Sequence, residues 1–384
     1  LTLGKPDTQQ DSIKKTVLRL LLVIVWLYLF LLAVTLMSSA FKLFGEGFTE
    51  TLFEYTSSPI TGLFIGILAT SIVQSSSTVT STVVALVASQ SLSVRSAIPV
   101  VMGCNIGTSV TSIIVAMGFF RFRKEFGRAI SGSTVHDFFN LLVTLLLFPI
   151  EWMFHPLENL ATALAGIFSH AGETAGNLTF TSPVKAVIAP SAHFIVNLLT
   201  EEASLSEKLS GILILALAGL LLFVALVRLT KTMKIIMMGR LAVVFNKTLK
   251  RGGIVGIIVG LFSTAIVQSS SVVTSLLVPL VAAGLIDVVQ VFPLTLGANI
   301  GTTVTALLAA LTGSFSGLVI AFAHVLFNLF GVIIVYPTPL RKIPIWCALK
   351  MGSISERSRK FPIIYVIVAF FVIPILVILI SRLF

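Results

Sequence analysis

An amide and three hydroxyls stand in a row at Gln74, Ser75, Ser76 and Ser77, and the same four residue types recur at Gln268, Ser269, Ser270 and Ser271, each time inside an apolar stretch. Such groups are neutral donors and acceptors that can hold several oxygens of one anion without the permanent charge of Lys or Arg. The recurrence is a duplication. TSIVQSSSTVTSTVV over residues 70–84 maps onto TAIVQSSSVVTSLLV over 264–278 by a shift of 194 positions, and the same shift carries GCNIGTSVT at 103–111 onto GANIGTTVT at 297–305. Polar groups are costly in apolar surroundings, so two matched clusters point to a solute site built where two repeats meet. A QSSS tip that opens a helix also presents N–H groups with no intrahelical partner, and these favour an oxyanion. Two such tips can grip a tetrahedral anion from opposite sides.

The second matched block interrupts an apolar run with Gly, Asn and Thr, and reads as a helix broken near its middle at 105–109 and again at 299–303. Freed carbonyls and the side-chain oxygens of Asn and Thr are neutral hard ligands that suit sodium. Proton coupling would want ionisable groups within the spans, and the sequence offers only His136, Asp137 and His324, near span ends. A third matched element pairs His136 with Asn140 and His324 with Asn328, now at an offset of 188. Residues four apart share a helix face, but no further ligands stand at metal spacing, so interhelical hydrogen bonding is the expected role. Neither QSSS forms a G-x-S-x-G elbow, and no enzyme chemistry is expected.

The elements that position these residues follow from composition. With 56% hydrophobic and 11% charged residues and a mean hydropathy of +1.07, the chain belongs in a bilayer. Apolar stretches at 16–41, 129–150, 208–229, 315–336 and 361–380 are long enough to span it. The arms flanking each QSSS are too short, so they read as re-entrant hairpins at about 60–89 and 253–283. With broken helices at about 91–118 and 288–312, the expected fold is an all-α polytopic membrane protein of about seven crossings. Three crossings separate the hairpins, and this odd number inverts the second repeat relative to the first.

The net charge of +11 invites a nucleic-acid reading, but the basic residues fall in blocks between the spans. Parity places 21 of the 26 Lys and Arg on one side, which the positive-inside rule makes cytoplasmic. No nucleic-acid partner is expected. The divisions are then a cytoplasmic N-terminal tail at 1–15, repeat 1 at 16–150, an extracellular connecting segment at 151–207, repeat 2 at 208–336, and a cytoplasmic loop with a C-terminal span at 337–384. The stretch 231–251, alternating basic and apolar, is expected on the inner membrane surface.

VQSSS followed by MGCNIGTSVT and TVHDFFN, then VQSSSVVTS followed by PLTLGANIGTTVTALLAAL, resembles the type II sodium-dependent phosphate cotransporters over about residues 62–337. The resemblance implies import of inorganic phosphate, mainly as the dianion, with sodium as co-substrate and no other cofactor. It places phosphate on Gln74, Ser75, Ser76, Ser77, Gln268, Ser269, Ser270 and Ser271. It places sodium among Gln74, Ser75, Asn105, Thr108, Gln268, Ser269, Asn299, Thr302 and Thr303, with His136, Asn140, His324 and Asn328 as structural support. The short connecting segment lacks the disulfide cysteines of animal relatives, which points to a multi-pass protein of a bacterial inner membrane. Beyond phosphate, sodium and lipid, the one partner left open is a second copy of the chain. The competing readings are a sodium symporter for another oxyanion, such as sulfate or a small carboxylate, an ion channel, and a sensor or scaffold without flux.

Energetics bound the coupling. A tenfold sodium gradient is worth about 1.4 kcal/mol per ion, and 100 mV about 2.3 kcal/mol per net charge. One sodium per dianion loses more to the potential than it gains. Two give about 2.8 kcal/mol and three about 6.5 kcal/mol, so two or three are expected.

Overall fold

Long runs of Leu, Ile, Val and Phe, punctuated by small residues rather than by strand and turn signals, commit this chain to helices. The computed structural model describes the backbone of residues 7–56, 58–170, 183–203, 205–249, 253–312 and 314–381. Within them the helices are α1 (Asp7–Leu43), α2 (Glu46–Thr56), α3 (Pro59–Val73), α4 (Ser76–Ala88), α5 (Val94–Gly107), α6 (Ser109–Met117), α7 (Arg123–Phe154), α8 (Pro156–His170) and α9 (Pro183–Asn197). They continue with α10 (Glu207–Leu249), α11 (Gly253–Val267), α12 (Ser270–Ala282), α13 (Val288–Ala310), α14 (Phe315–Val335), α15 (Lys342–Arg357), α16 (Phe361–Ile367) and α17 (Ile373–Ile380). Among the described residues there is no strand.

Among the described residues, seven helices are long and apolar enough to cross a membrane: 17–43, 94–117, 123–154, 207–236, 288–310, 315–335 and 361–380. That is the expected number. The span at 94–117 joins α5 and α6, and the span at 361–380 joins α16 and α17 through a π-helical turn at Val368–Val372. The arms around each QSSS, at 76–88, 253–267 and 270–282, are apolar but shorter.

The duplication in sequence is a duplication in packing. α3 lies against α5, and α11 lies against α13. Both pairs approach through glycine: a Cβ on Gly103 would overlap the Leu63 carbonyl oxygen, and one on Gly297 would overlap the Ile257 carbonyl oxygen. Backbones this close leave no room for any side chain, so the two glycines set the distances between α3 and α5 and between α11 and α13. α1 and α10 pack on each other, and α12 rests on α7.

Four expectations change. Residues 7–15, read as part of a polar tail, begin the first helix, while 1–6 lie outside the described residues. The segment 151–207 is not a plain connection but holds α8 and α9, of which α8 packs on α14; residues 171–182 lie outside the described set. The loop expected after residue 337 contains α15, packed on α7. Its buried residues Pro344, Ala348, Met351, Gly352 and Ser355 recur at helical spacing and form a mostly small-residue stripe that a search for long apolar spans passes over.

The fourth change concerns the predicted breaks. α13 runs through Asn299 to Thr303 without interruption, and between α5 and α6 Thr108 keeps right-handed helical angles (φ −60°, ψ −28°). The glycines serve approach rather than interruption: a Cβ on Gly107 would stand 2.6 Å from the Ile67 carbonyl oxygen, and one on Gly301 2.5 Å from that of Leu261. Of the stretch 231–251 expected on the inner surface, 231–249 continues α10; residues 250–251, and the side chains from 237 to 249, lie outside the described set.

Candidate functional site

Each QSSS begins with a glutamine in the left-handed region. Gln74 (φ 56°) ends α3 and Gln268 (φ 59°) ends α11, a conformation that costs a non-glycine residue about 1–2 kcal/mol. The side chain shows what holds it there. Gln74 donates from Nε2 to the Ser71 carbonyl at 2.5 Å and accepts at Oε1 from the Thr111 hydroxyl at 2.9 Å. Gln268 donates to the Ala265 carbonyl and accepts from Thr305 at 2.9 Å. Both ends of each amide are engaged, so each glutamine ties its tip to the helix behind it.

The following serine starts the next helix. Ser75 is extended (φ −153°, ψ 99°) and its hydroxyl accepts from the Thr78 N–H at 3.2 Å. Ser269 does the same for the Val272 N–H at 3.3 Å. These caps satisfy one first-turn donor in each helix. The N–H groups of Ser76, Ser77, Ser270 and Ser271 remain without a partner in the helix, at the end where the helix dipole is positive.

Both tips line one cavity of about 470 Å³. It brings together Gln74–Thr78 from one repeat and Gln268–Val272 from the other, 194 positions away, and its remaining wall is a face of α10 running from Phe223 to Lys234. Direct contacts tie the repeats together beneath it. Ser112 and Thr274 share a hydrogen bond of 2.9 Å, and Ser77 reaches Thr305 at 3.4 Å.

The Asn and Thr residues of the second block do not line this cavity. All but half-buried Thr111 are buried. Thr108 and Thr302 donate to the carbonyls four residues back, at 2.8 and 2.9 Å, and Thr303 donates to Ile300 at 2.7 Å. The asparagines cross between repeats. Asn299 on α13 accepts from His136 on α7 and donates to Asn140 Oδ1 at 2.5 Å. Asn140 donates to the Asn105 carbonyl at 2.8 Å, and Asn105 Oδ1 lies 3.4 Å from His324 Nε2. Asn328 turns back to the His324 carbonyl at 3.0 Å. Each histidine therefore faces the asparagine of the opposite repeat, and Asn140 joins both. His136 Nδ1, His324 Nδ1 and Asn328 Oδ1 remain without partners.

His136, Asp137 and His324 are not near span ends. α7 extends from Arg123 to Phe154, which puts the first two near its middle, and His324 is central in α14. Asp137 is fully buried. Its Oδ2 accepts from the Tyr365 hydroxyl, and the buried Ser109 hydroxyl lies close to the same carboxyl. Among the described residues it makes no ion pair.

Reading by duplication missed three groups. Thr111 and Thr305 close the matched block, yet nothing distinguishes them there from the other hydroxyls. Asp137 has no counterpart, because Val325 holds its place in repeat 2. Lys231 and Lys234, counted with the surface charge, line the cavity.

The family described as Na+/Pi-cotransporter matches residues 29–169 and 221–340. Sodium-dependent phosphate transport protein 2B of Homo sapiens is 35% identical over an alignment of 450 residues that covers 94% of this chain and 64% of that protein. The 2B protein of Pongo abelii is 36% identical over 94% and 65%, and the 2A protein of Rattus norvegicus 35% identical over 94% and 67%. The chain thus spans about 65% of the length of the curated relatives it matches. No solved structure matches it.

Proposed function

The chain belongs to the Na+/Pi-cotransporter family, and from that membership we propose that it imports inorganic phosphate, mainly as the dianion, coupled to two or three sodium ions by alternating access. The observation that carries this reading is the single cavity lined by both QSSS tips. A dianion between them meets hydroxyls and first-turn N–H groups from two helices at once, the chemistry by which helix N-termini hold phosphate. Phosphate is assigned to Gln74–Ser77 and Gln268–Ser271, with the glutamines fixing the tips and the serines supplying donors.

Sodium is assigned to Gln74, Ser75, Gln268 and Ser269 at the tips together with Asn105, Thr108, Asn299, Thr302 and Thr303, which are buried and off the cavity. Because α13 is unbroken, side-chain oxygens rather than freed carbonyls carry that role. Asp137 belongs with these residues: a carboxylate buried in mid-span needs a counter-charge, and Ser109 and Tyr365 complete an oxygen set for a cation. With ionisable groups present in mid-span, the preference for sodium over protons rests on family membership.

In this reading α3–α4 and α11–α12 are re-entrant hairpins of two inverted repeats. They move as a unit with α5, α6 and α13 against the whole spans. The N-terminus and the basic blocks face the cytoplasm of a bacterial inner membrane, and the chain transports rather than catalyses.

The test is radiolabelled phosphate uptake into proteoliposomes under an inward sodium gradient, against potassium and proton gradients, with sulfate as competitor and the potential clamped at two values. Sodium-driven accumulation indifferent to sulfate is expected. A response to potential selects three sodium ions, and its lack selects two. Competition by sulfate would widen the substrate class, and flux that never exceeds equilibrium would make the protein a channel.

A further inference from the structure

The tips offer a dianion only neutral donors, yet the third wall of their cavity does not. α10 presents Phe223, Leu226, Val227, Thr230, Lys231 and Lys234 to it, a spacing that places all six on one helix face. Along that face the chemistry grades from apolar through a hydroxyl to two ammonium groups. Lys231 is exposed and Lys234 half-buried, and among the described residues neither makes an ion pair. Lysines at the edge of a low-dielectric cleft focus field into it and raise the local concentration of anions. Their long stems let the charge reach water while the chain covers apolar wall.

The two lysines stand at one end only of the cavity wall, toward the basic half of α10, which continues to Leu249. The opposite half, from Glu207 to Phe223, brings no cation to the cavity. We infer that Lys231 and Lys234 form a one-sided cationic mouth that sets phosphate affinity on the face to which the basic half of α10 leads, and on that face alone. The inference rests on the phosphate-symporter reading and on its orientation, in which that face is cytoplasmic. The mouth holds the dianion after its sodium ions have left and slows its return to water, so product release on that side is subject to inhibition by internal phosphate. The same ammonium groups suit the phosphate of an anionic lipid headgroup, and the experiment separates the two.

Phosphate half-saturation is measured in right-side-out and in inverted membrane vesicles for the wild type, for Lys231→Gln with Lys234→Gln, and for Lys231→Arg with Lys234→Arg. The glutamine pair is expected to raise half-saturation about tenfold on the basic face at low ionic strength. That difference should shrink below about twofold in 0.5 M salt, as screened charges require. On the other face it should stay within about twofold, and the arginine pair should behave as the wild type on both.

Equal change on both faces, no change on either, or the same loss in the arginine pair would overturn the inference. So would a defect that appears in proteoliposomes containing phosphatidylglycerol and disappears in pure phosphatidylcholine, which assigns the lysines to lipid. If the wild type itself shows no sodium-dependent phosphate uptake, the symporter reading fails and takes the inference with it, an outcome distinct from all of these.

Discussion

The Thr111 hydroxyl donates to the Gln74 carboxamide at 2.9 Å, so the first residue of the anion-facing tip is held by the last residue of the block behind it. Thr305 and Gln268 repeat the bond at 2.9 Å. The two tips are therefore positioned by the helices that also carry the candidate sodium groups, a direct physical link between the two candidate sites.

Replacing either threonine by the near-isosteric Val removes the donor that holds the glutamine, a loss of about 1 kcal/mol at half-buried Gln74 and about 1–3 kcal/mol at buried Gln268. Thr111→Val and Thr305→Val should each lower maximal phosphate uptake about tenfold or more, with unchanged amounts of protein in the membrane. Serine at either position, which restores the hydroxyl, should recover most of the rate. Initial-rate uptake at saturating phosphate checks this.

Asp137→Asn keeps the shape and the acceptor for Tyr365 but removes the charge. If the carboxylate balances a sodium ion, the ratio of sodium to phosphate carried per cycle should fall by one and the charge moved should change with it. Asp137→Val, which copies repeat 2, should share the change in ratio. Dual-label flux of sodium and phosphate in proteoliposomes reads it directly.

Asn140→Ala strands the Asn299 amide donor and uncovers the Asn105 carbonyl, both buried. Leaving such groups unpaired costs about 1–3 kcal/mol each. The variant should unfold at a temperature several degrees lower, and sodium should protect it less than it protects the wild type. Thermal unfolding in detergent with sodium or with choline measures both effects.

Gly297→Ala drives a methyl into the Ile257 carbonyl and forces α11 off α13. Overpacking of this kind costs about 1–3 kcal/mol or more, and Gly103→Ala should do equal damage in repeat 1. Both are expected to reduce monodisperse protein on size-exclusion chromatography, whereas Gly166→Ala, where an added Cβ meets nothing within 4 Å, should not.

The all-helical fold and its seven long apolar helices were readable from residues alone, and the gap-free shift of 194 positions marked the two matched pairs of shorter helices. The rest was hidden for identifiable reasons. Glycine beside Asn in an apolar run reads as a break, but here it buys contact between backbones, and α13 stays whole. α15 shows only a stripe of mostly small residues between charges, so hydropathy does not mark it. Asp137 was named but read as near a span end, because the apolar stretch starts at 129 whereas α7 starts at Arg123 and puts it in mid-helix. Lys231 and Lys234 escaped because a charge count cannot tell a surface from a cavity wall.

The central claim is that two tips, one from each repeat, make a single anion site. Equilibrium binding of radiolabelled phosphate to detergent-solubilised protein in saturating sodium tests it, with Ser76→Ala plus Ser77→Ala in one variant and Ser270→Ala plus Ser271→Ala in the other. One phosphate per chain is expected in the wild type, with binding lost in both variants alike. Two phosphates per chain, or one variant that keeps full binding while the other loses it, would mean that the tips work separately or that only one of them holds the anion.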